Sequence, residues 1–196
     1  MHTARSGNVN IIETKLDGVW IVETNVHGDV RGFFTESYTK PKFIESGIPY
    51  EFIQDNHSFS AEAGTLRGLH YQLSPKAQTK LVRVIAGAIY DVVVDIRSGS
   101  PTYGKWVGVI LSESNRRQLL VPKGFAHGFC TLTPNTQVIY KVDNLHSKEL
   151  DRGILWSDRE LDIDWPATHV ILSEKDKRHP PLLLAENNFT WPGPGL

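Results

Sequence analysis

The sequence predicts an all-β fold, either a sandwich or a barrel. Short segments rich in aromatic and β-branched residues recur along the chain. Turn-forming stretches such as 98–101 (SGSP) and 133–135 (TPN) separate these segments at short intervals. Helical signals are few. Many short strands with almost no helix are typical of sandwiches and barrels.

The individual elements follow from local composition. Residues 18–24 (GVWIVET) and 31–38 (RGFFTESY) have β-type composition, and a polar turn is expected between them at 27–29. Residues 40–47 are predicted to form a short helix that ends at Gly47, because glycine is the usual C-cap residue. The further predicted strands are 66–72, 80–85, 88–97, 106–111, 118–121, 127–132 and 137–142.

The segment 88–97 (AIYDVVVDIR) shows the period-two alternation of a half-buried strand. One face carries apolar side chains and the other is mainly charged, with Val93 as the exception. The apolar face comprises Tyr90, Val92, Val94 and Ile96, and the charged face comprises Asp91, Asp95 and Arg97.

Length and charge limit the class of protein. The chain has 196 residues with 21 basic and 22 acidic side chains, so we expect one domain over residues 1–196, with a tail from about residue 185. The Pro- and Gly-rich end, 191–196, is expected to be loose. The balanced charge offers no basic excess for a nucleic acid or a membrane surface.

Cysteine content and the lack of long apolar segments indicate the cellular compartment. The single cysteine, Cys130, cannot form an internal disulfide, which fits a reducing compartment. No apolar run approaches the roughly 18 residues that a bilayer span needs. The first ten residues lack the apolar segment of a signal peptide. We therefore expect a cytoplasmic protein without a membrane partner.

Two segments resemble the paired motifs of the cupin superfamily. Gly64 and His70 match the first motif, but Gln72 replaces its second histidine and its glutamate is missing. The segment 122–127 (PKGFAH) matches the second motif in full. His70 and His127 alone make a poor site for a first-row metal. The resemblance implies a cupin-type jelly-roll barrel (a double-stranded β-helix) with few short helices, no metal, and a histidine available as a general base.

The residues around His70 favour a reactive site. One predicted strand presents Arg67 and His70, and the next begins with Lys80. Cations therefore lie near a candidate base. Apolar neighbours such as Leu69 and Leu81 indicate partial burial, and buried charge is costly unless it is paired.

Several longer motifs resemble the dTDP-4-dehydrorhamnose 3,5-epimerase family and follow one another in order over about residues 18–181, the core of the predicted domain. The matching segments are 29–36 (DVRGFFTE), 54–58 (QDNHS), 66–72 (LRGLHYQ), 121–129 (VPKGFAHGF), 140–141 (YK), 151–154 (DRGI), 165–166 (WP) and 172–176 (LSEKD).

The resemblance implies an isomerase that needs no cofactor. It would invert carbons 3 and 5 of dTDP-4-dehydro-6-deoxy-D-glucose to give dTDP-4-dehydro-L-rhamnose. The 4-keto group acidifies the hydrogens on both carbons, so a base can form an enolate and an acid can return a proton to the opposite face. By position, His70 is the base, Asp176 its partner, Tyr140 the opposed acid and Lys80 the cation at the ketone oxygen.

The resemblance also assigns substrate-binding residues and a partner. Arg31 and Arg67 are implied to hold the diphosphate, for which a guanidinium is well shaped. The family is expected to form a homodimer with exchanged N-terminal strands. The other implied contacts to the dTDP-sugar are Glu36, Gln54, Asn56, His127, Asp151 and Lys175.

Two positions depart from the family's usual pattern. His146, six residues after Tyr140, stands where the family usually has a Tyr or Phe that can stack on the base. Asp151 stands where Glu is frequent. Both departures bear on nucleotide preference and neither touches the proton chemistry.

Three alternatives stay open. The same base and acid would serve an epimerase that acts at a single carbon, 3 or 5, of a related dTDP-ketosugar. A metal-dependent cupin oxygenase is a second alternative, against which Gln72 counts. A sugar-binding jelly roll without catalytic activity is the third, against which the set His70, Asp176, Tyr140 and Lys80 counts.

Overall fold

The computed structural model describes residues 4–6 and 9–193. Residues 1–3, 7–8 and 194–196, which belong to the predicted domain and its tail, lie outside the described residues. The strands are β1 (Ala4–Ser6), β2 (Val9–Glu13), β3 (Trp20–Thr24), β4 (Val26–Asp29), β5 (Gly32–Thr35), β6 (Gln54–Ser60), β7 (Leu66–Gln72), β8 (Lys80–Ala86), β9 (Ala88–Asp95), β10 (Trp106–Ser112), β11 (Gln118–Val121), β12 (Phe125–Thr131), β13 (Thr136–Val142) and β14 (Asp151–Gly153).

These strands form two large antiparallel sheets and one hairpin. The seven-stranded sheet has the order β1-β2-β3-β11-β8-β13-β6, and the five-stranded sheet has the order β10-β9-β12-β7-β14. The hairpin pairs β4 with β5. Apolar side chains from both large sheets, among them Val84, Val93, Leu119 and Phe129, form one buried cluster. The two sheets therefore pack face to face around a common interior.

The outer face of each sheet is covered by a different segment. Helix α1 (Lys40–Glu45) lies on the seven-stranded sheet, where Phe43 packs with Leu81 and Leu120. The chain after β14 lies on the five-stranded sheet, where Ile154 and Leu161 join a cluster with strand residues. This second segment contains two 3₁₀ turns, Asp176–Arg178 and Leu182–Leu184. In the described part of the chain no helix is long and apolar enough to span a bilayer.

The first part of the predicted tail is held against the barrel. The Tyr71 hydroxyl donates to the backbone carbonyl of Glu186 at 2.5 Å. The backbone of Ser98 accepts a hydrogen bond from the Trp191 N–H at 3.0 Å. Phe189 packs against the cluster on the five-stranded sheet.

Three details differ from the sequence-based expectations. The predicted polar turn at 27–29 is part of strand β4, and the turn falls instead at residues 30–31. Strands β1, β2, β6 and β14 were not predicted from the sequence. Strand β9 is buried on both faces, because Asp91 and Asp95 point into the interior with 0% exposure. Each of these carboxylates is hydrogen-bonded, which offsets the cost of burial.

Candidate active site

A cavity of about 430 Å³ opens between the two sheets. The five-stranded sheet contributes side chains from β7 and β12, and the seven-stranded sheet contributes side chains from β8 and β13. The 3₁₀ turn at Asp176 closes one side. Seven predicted site residues line this cavity: Arg67, His70, Lys80, His127, Tyr140, Lys175 and Asp176.

A second cavity of about 270 Å³ adjoins the first and shares wall residues with it. Three more predicted site residues line it, namely Gln54, Asn56 and Asp151. His146, which departs from the family pattern, lies in the same wall. The Gln54 amide donates to Asn56 Oδ1 at 2.7 Å, so the two side chains form a polar edge. The paired cavities give a groove whose walls are both polar and apolar.

Arg31 and Glu36 are not brought to these cavities. Arg31 lies at the turn of the β4–β5 hairpin, with a side chain that is 86% exposed and paired with Asp29 at 2.5 Å. Glu36 follows the hairpin and pairs with Lys42 of α1. Within one chain, ten of the twelve predicted site residues surround the groove and these two do not.

Strand register places His70 at the centre of the site. In the five-stranded sheet His70 lies opposite His127 of β12 and opposite Gly153 of β14. Strands β7 and β12 approach closely because Gly68 and Gly128 face each other. An added Cβ on Gly68, whose φ is +138°, would lie 2.5 Å from the Gly128 Cα. Only glycine permits this approach.

His70 is paired with Asp176. Its Nε2 lies 2.5 Å from Asp176 Oδ1, and the carboxylate is buried. The backbone N–H of Asp176 donates to Ser173 Oγ at 3.1 Å, which fixes the start of the turn. Because an ionised carboxylate only accepts hydrogen bonds, Nε2 carries the proton and Nδ1 keeps its lone pair. The geometry leaves His70 with one nitrogen free to act as a base.

The electrostatic environment favours neutral His70 and ionised Asp176. Burial lowers the pKa of His70 and outweighs the opposing hydrogen bond and charge of Asp176. Burial alone would raise the pKa of Asp176, but His179 and His70 together hold it well below its usual range. A neutral imidazole beside a fixed carboxylate is the resting state that a general base requires.

Tyr140 and Lys80 face His70 from the other sheet. Tyr140 lies on β13 opposite Val82 of β8, and Lys80 begins β8. Burial raises the pKa of the Tyr140 phenol, and the charge of Arg67 opposes this only in part. Burial lowers the pKa of Lys80 to about 8, against the opposing charges of Asp91 and Asp151. The site thus holds a neutral imidazole on one sheet and a protonated phenol with a cation on the other.

The remaining charged residues of the site form hydrogen bonds or ion pairs with neighbouring residues. Arg67 donates from Nη2 to the Phe59 carbonyl at 3.0 Å. Arg67 is an exposed residue that lines the cavity. Lys175 forms an ion pair with Asp151. His127 Nε2 lies 2.6 Å from Asp91 Oδ1. The second carboxylate oxygen, Asp91 Oδ2, is buried and has no hydrogen-bond partner among the described residues.

Two residues at this site were missed by reading the sequence. Asp91 was placed on the charged face of a half-buried strand, but that face lines the interior and holds His127. His179 lies next to Asp176 in space. The only sequence signal for His179 is its position three residues after Asp176 at the end of a charged segment. Both are buried polar groups. The partner of Asp91 comes from another strand, whereas His179 lies against the turn that precedes it.

Gln72, which replaces the second histidine of the cupin motif, has a structural role. Gln72 donates from Nε2 to the carbonyls of Lys76 at 2.6 Å and Leu145 at 3.2 Å. Its Oε1 accepts from the Ser147 N–H at 2.6 Å. The amide therefore fixes the loop after β13 instead of pointing a free ligand atom at the cavity.

Among the described residues, His70, Asp176 and His179 bring potential ligand atoms within 4.8 Å of one another. Two ligands of one zinc ion lie about 3.3 Å apart, as follows from metal–ligand distances of roughly 2.0–2.1 Å in a tetrahedron. His70 Nε2 and Asp176 Oδ1 are closer, at 2.5 Å. This pair is spaced as a hydrogen bond.

A family profile described as dTDP-4-dehydrorhamnose 3,5-epimerase matches residues 13–183. The chain belongs to this family. It is therefore an enzyme, as the sequence predicted. An epimerase-family relative from Shigella flexneri, dTDP-4-dehydrorhamnose 3,5-epimerase, is 54% identical over 169 residues, which are 86% of this chain and 93% of that protein.

Solved structures of 3,5-epimerases have the same fold. The Bacillus anthracis enzyme, with TDP and PPi bound, is 57% identical with a TM-score of 0.87, covering 88% of this chain and 99% of that one. The Legionella pneumophila enzyme, in complex with dTDP-4-keto-L-rhamnose, is 49% identical with a TM-score of 0.86, covering 90% and 94%. The predicted cupin-type jelly roll is confirmed.

Proposed function

We propose that this chain inverts carbons 3 and 5 of dTDP-4-dehydro-6-deoxy-D-glucose and releases dTDP-4-dehydro-L-rhamnose. The observation that carries this proposal is the placement of the His70–Asp176 pair across one cavity from Tyr140 and Lys80. Family membership and the ligands of the two similar structures support the same substrate class.

His70 starts each inversion in this mechanism. Its neutral Nδ1 takes the proton from carbon 3 or carbon 5, where the 4-keto group has made the hydrogen acidic. The C–H electron pair moves into the ring to form an enolate. The imidazolium that results is stabilised by the buried Asp176 carboxylate at 2.5 Å.

Lys80 and Tyr140 complete the inversion from the other sheet. The Lys80 ammonium stabilises the negative charge on the enolate oxygen. The Tyr140 hydroxyl, whose pKa is raised by burial, is protonated at neutral pH and gives its proton to the opposite face of the carbon. Proton exchange with solvent then returns His70 to the neutral imidazole and the Tyr140 phenolate to the phenol. Repeating abstraction and return at the second carbon gives the L-rhamnose configuration.

The groove offers contacts for the rest of the substrate. Arg67 and His127 line the cavity, and we assign Arg67 to the diphosphate and His127 to the sugar. In the adjoining cavity the candidate contacts to sugar or nucleotide are Gln54, Asn56, Asp151 and Lys175.

Arg31 and Glu36 fit the same function in a homodimer. The hairpin that carries Arg31 exposes Phe33 (56%) and Phe34 (65%), which a second copy would cover. Exchange of the N-terminal strands would bring Arg31 and Glu36 of one copy to the groove of the other. We propose that this homodimer is a single-domain cytoplasmic enzyme without metal or cofactor.

The decisive experiment is incubation with dTDP-4-dehydro-6-deoxy-D-glucose in heavy water, with deuterium counted at each carbon of the product. We expect deuterium at both carbon 3 and carbon 5. Deuterium at one carbon only would indicate a single-carbon epimerase, and no exchange would overturn the proposal. The same reaction after exhaustive chelation should keep its rate. Loss that is restored by Fe, Mn, Zn or Ni would indicate metal chemistry instead.

A further inference from the structure

His179 lies directly behind the His70–Asp176 pair. It follows the 3₁₀ turn that carries Asp176, and its side chain is only 10% exposed. Its Nε2 lies 3.5 Å from Asp176 Oδ1, the same oxygen that accepts from His70. No hydrogen-bond partner for this nitrogen exists among the described residues.

The space for this imidazole is created by Gly153. Strand β14 places Gly153 directly opposite His70, and an added Cβ there would overlap the His179 ring. The two imidazoles meet edge to face, with centroids 5.5 Å apart and an interplanar angle of 74°. His70 is therefore flanked in its own sheet by a residue without a side chain, and a second histidine from the 3₁₀ turn occupies the vacated volume.

A purely structural role accounts poorly for a histidine here. The site is enclosed, and an apolar side chain of similar size would fill it without burying an unpaired nitrogen. The Asp176 carboxylate lies 3.5 Å from the unpaired nitrogen and can accept a hydrogen bond. A small movement of the turn would shorten the 3.5 Å separation to a charge-assisted hydrogen bond.

We propose that His179 is a positioning residue for the epimerase reaction, which donates from Nε2 to Asp176 and holds that carboxylate in line with His70. The inference rests on the proposed role of His70 as the base. Two donors on one oxygen restrict rotation of the carboxylate and keep it ionised. The carboxylate is then oriented before His70 becomes an imidazolium, so no reorganisation is needed during proton transfer.

The test compares two substitutions in the full-length enzyme. His179→Leu removes the donor and keeps an apolar group of similar size, whereas His179→Gln keeps an N–H group near the Nε2 position. We expect His179→Leu to lower kcat roughly tenfold to a hundredfold, as expected for loss of a hydrogen bond to a charged group, with KM within about twofold. His179→Gln should restore most of kcat.

Arg178→Leu is the matched control. Arg178 lies on the same turn, is 76% exposed and pairs only with Glu174 among the described residues, so its loss should leave kcat and KM unchanged. A second readout is the downfield proton resonance of the His70–Asp176 hydrogen bond. It should shift or broaden in His179→Leu and keep its position in Arg178→Leu and His179→Gln.

Two results would overturn the inference. The first is a folded His179→Leu enzyme with kcat within about twofold of wild type and an unshifted resonance. The second is an equal loss in His179→Leu and His179→Gln, which would mean that packing, not the donor, matters. His70→Asn separates this failure from that of the proposed function, because an active His70→Asn enzyme would show that His70 is not the base.

Discussion

In the proposed mechanism, the Tyr140 hydroxyl alone delivers the proton that completes the inversion. Tyr140→Phe keeps the ring in its place on β13 and removes only the acid. His70 and Lys80 can still form the enolate, which then regains its proton from the side it left. We expect deuterium from heavy water to enter the recovered substrate while little inverted product forms.

The measurement is the ratio of exchange to inversion, followed by mass spectrometry and NMR, and it should rise well above the wild-type value. If exchange and inversion fall together by the same factor, Tyr140 assists enolate formation or binding. If neither changes, Tyr140 is a wall aromatic without a chemical role.

In the proposed mechanism, Lys80 and His70 together set the pH range of the reaction. Burial lowers the pKa of Lys80 to about 8, so its charge, and with it kcat, should be lost as pH rises through that value. Burial also lowers the pKa of His70 from 6.5, so the acidic limb should lie below pH 6.5. Lys80→Arg should move the basic limb upward, because a guanidinium stays charged. A basic limb that is unchanged in Lys80→Arg would assign it to another group.

The contribution of Lys80 to folding stability changes with pH in the direction opposite to its expected effect on kcat. The unfolded chain keeps the ordinary Lys pKa of 10.5, so between about pH 8 and 10.5 it binds more protons than the folded enzyme. Stability due to this residue therefore rises with pH over the window in which activity falls. Thermal unfolding at matched pH values separates the two effects.

Strands β7 and β12 depend on a glycine pair that no hydrophobic pattern reveals. In Gly68→Ala the new Cβ would lie 2.5 Å from the Gly128 Cα and the residue would have a φ of +138°. We expect a loss of about 1–3 kcal/mol in the free energy of unfolding, measured by denaturant titration. We also expect a fall in kcat, because the His70–His127 register shifts.

Gly47→Ala is the control for this substitution. Gly47 also has a positive φ, +88°, but an added Cβ has nothing within 4 Å. It should therefore show the cost of backbone strain alone, with kcat unchanged. Equal losses in the two variants would mean that the close approach of β7 and β12 contributes nothing.

The sequence pattern predicted most strands that have an apolar face, although not β2, in which Val9 and Ile11 are buried. It also failed for β6, which lines the groove with polar side chains. Strand β6 (QDNHSFS) carries Gln54, Asn56 and Ser58 at the partly buried positions, so its inner face is polar. Strand β9 gave the opposite error, because Asp91 and Asp95 are buried next to His127 and Arg97. Asp91 is hydrogen-bonded to His127, which lies 36 residues away in the chain, and local composition cannot show this pairing.

The site as a whole is assembled from segments that lie far apart in the sequence. Motif resemblance named ten residues that the fold does bring together, whereas spacing alone could not have joined His70 to Asp176. The roles of Asp91 and His179 escaped both approaches. Arg31 and Glu36 lie outside the groove of their own chain, and their assignment is a prediction about the assembled enzyme.

Mixing two inactive variants tests that assembly. If each groove combines His70 of one copy with Arg31 of the other, a heterodimer of His70→Ala and Arg31→Ala chains contains one intact site. Random exchange should then restore about a quarter of wild-type activity, since half of the dimers are mixed and each has one of two sites intact. Each variant alone is the control. No recovery after confirmed subunit exchange would place Arg31 outside the partner's site.

The segment that covers the five-stranded sheet also carries Asp176 to His70, 106 residues later in the chain. During synthesis His70 is therefore made well before Asp176. A ribosome-bound chain that ends before the 3₁₀ turn has the strands of the barrel, with His70 on β7, but lacks the acceptor for its Nε2. In the proposed mechanism, competence for proton transfer is thus acquired only once the 3₁₀ turn has been made, and chains released before that point carry His70 without its partner.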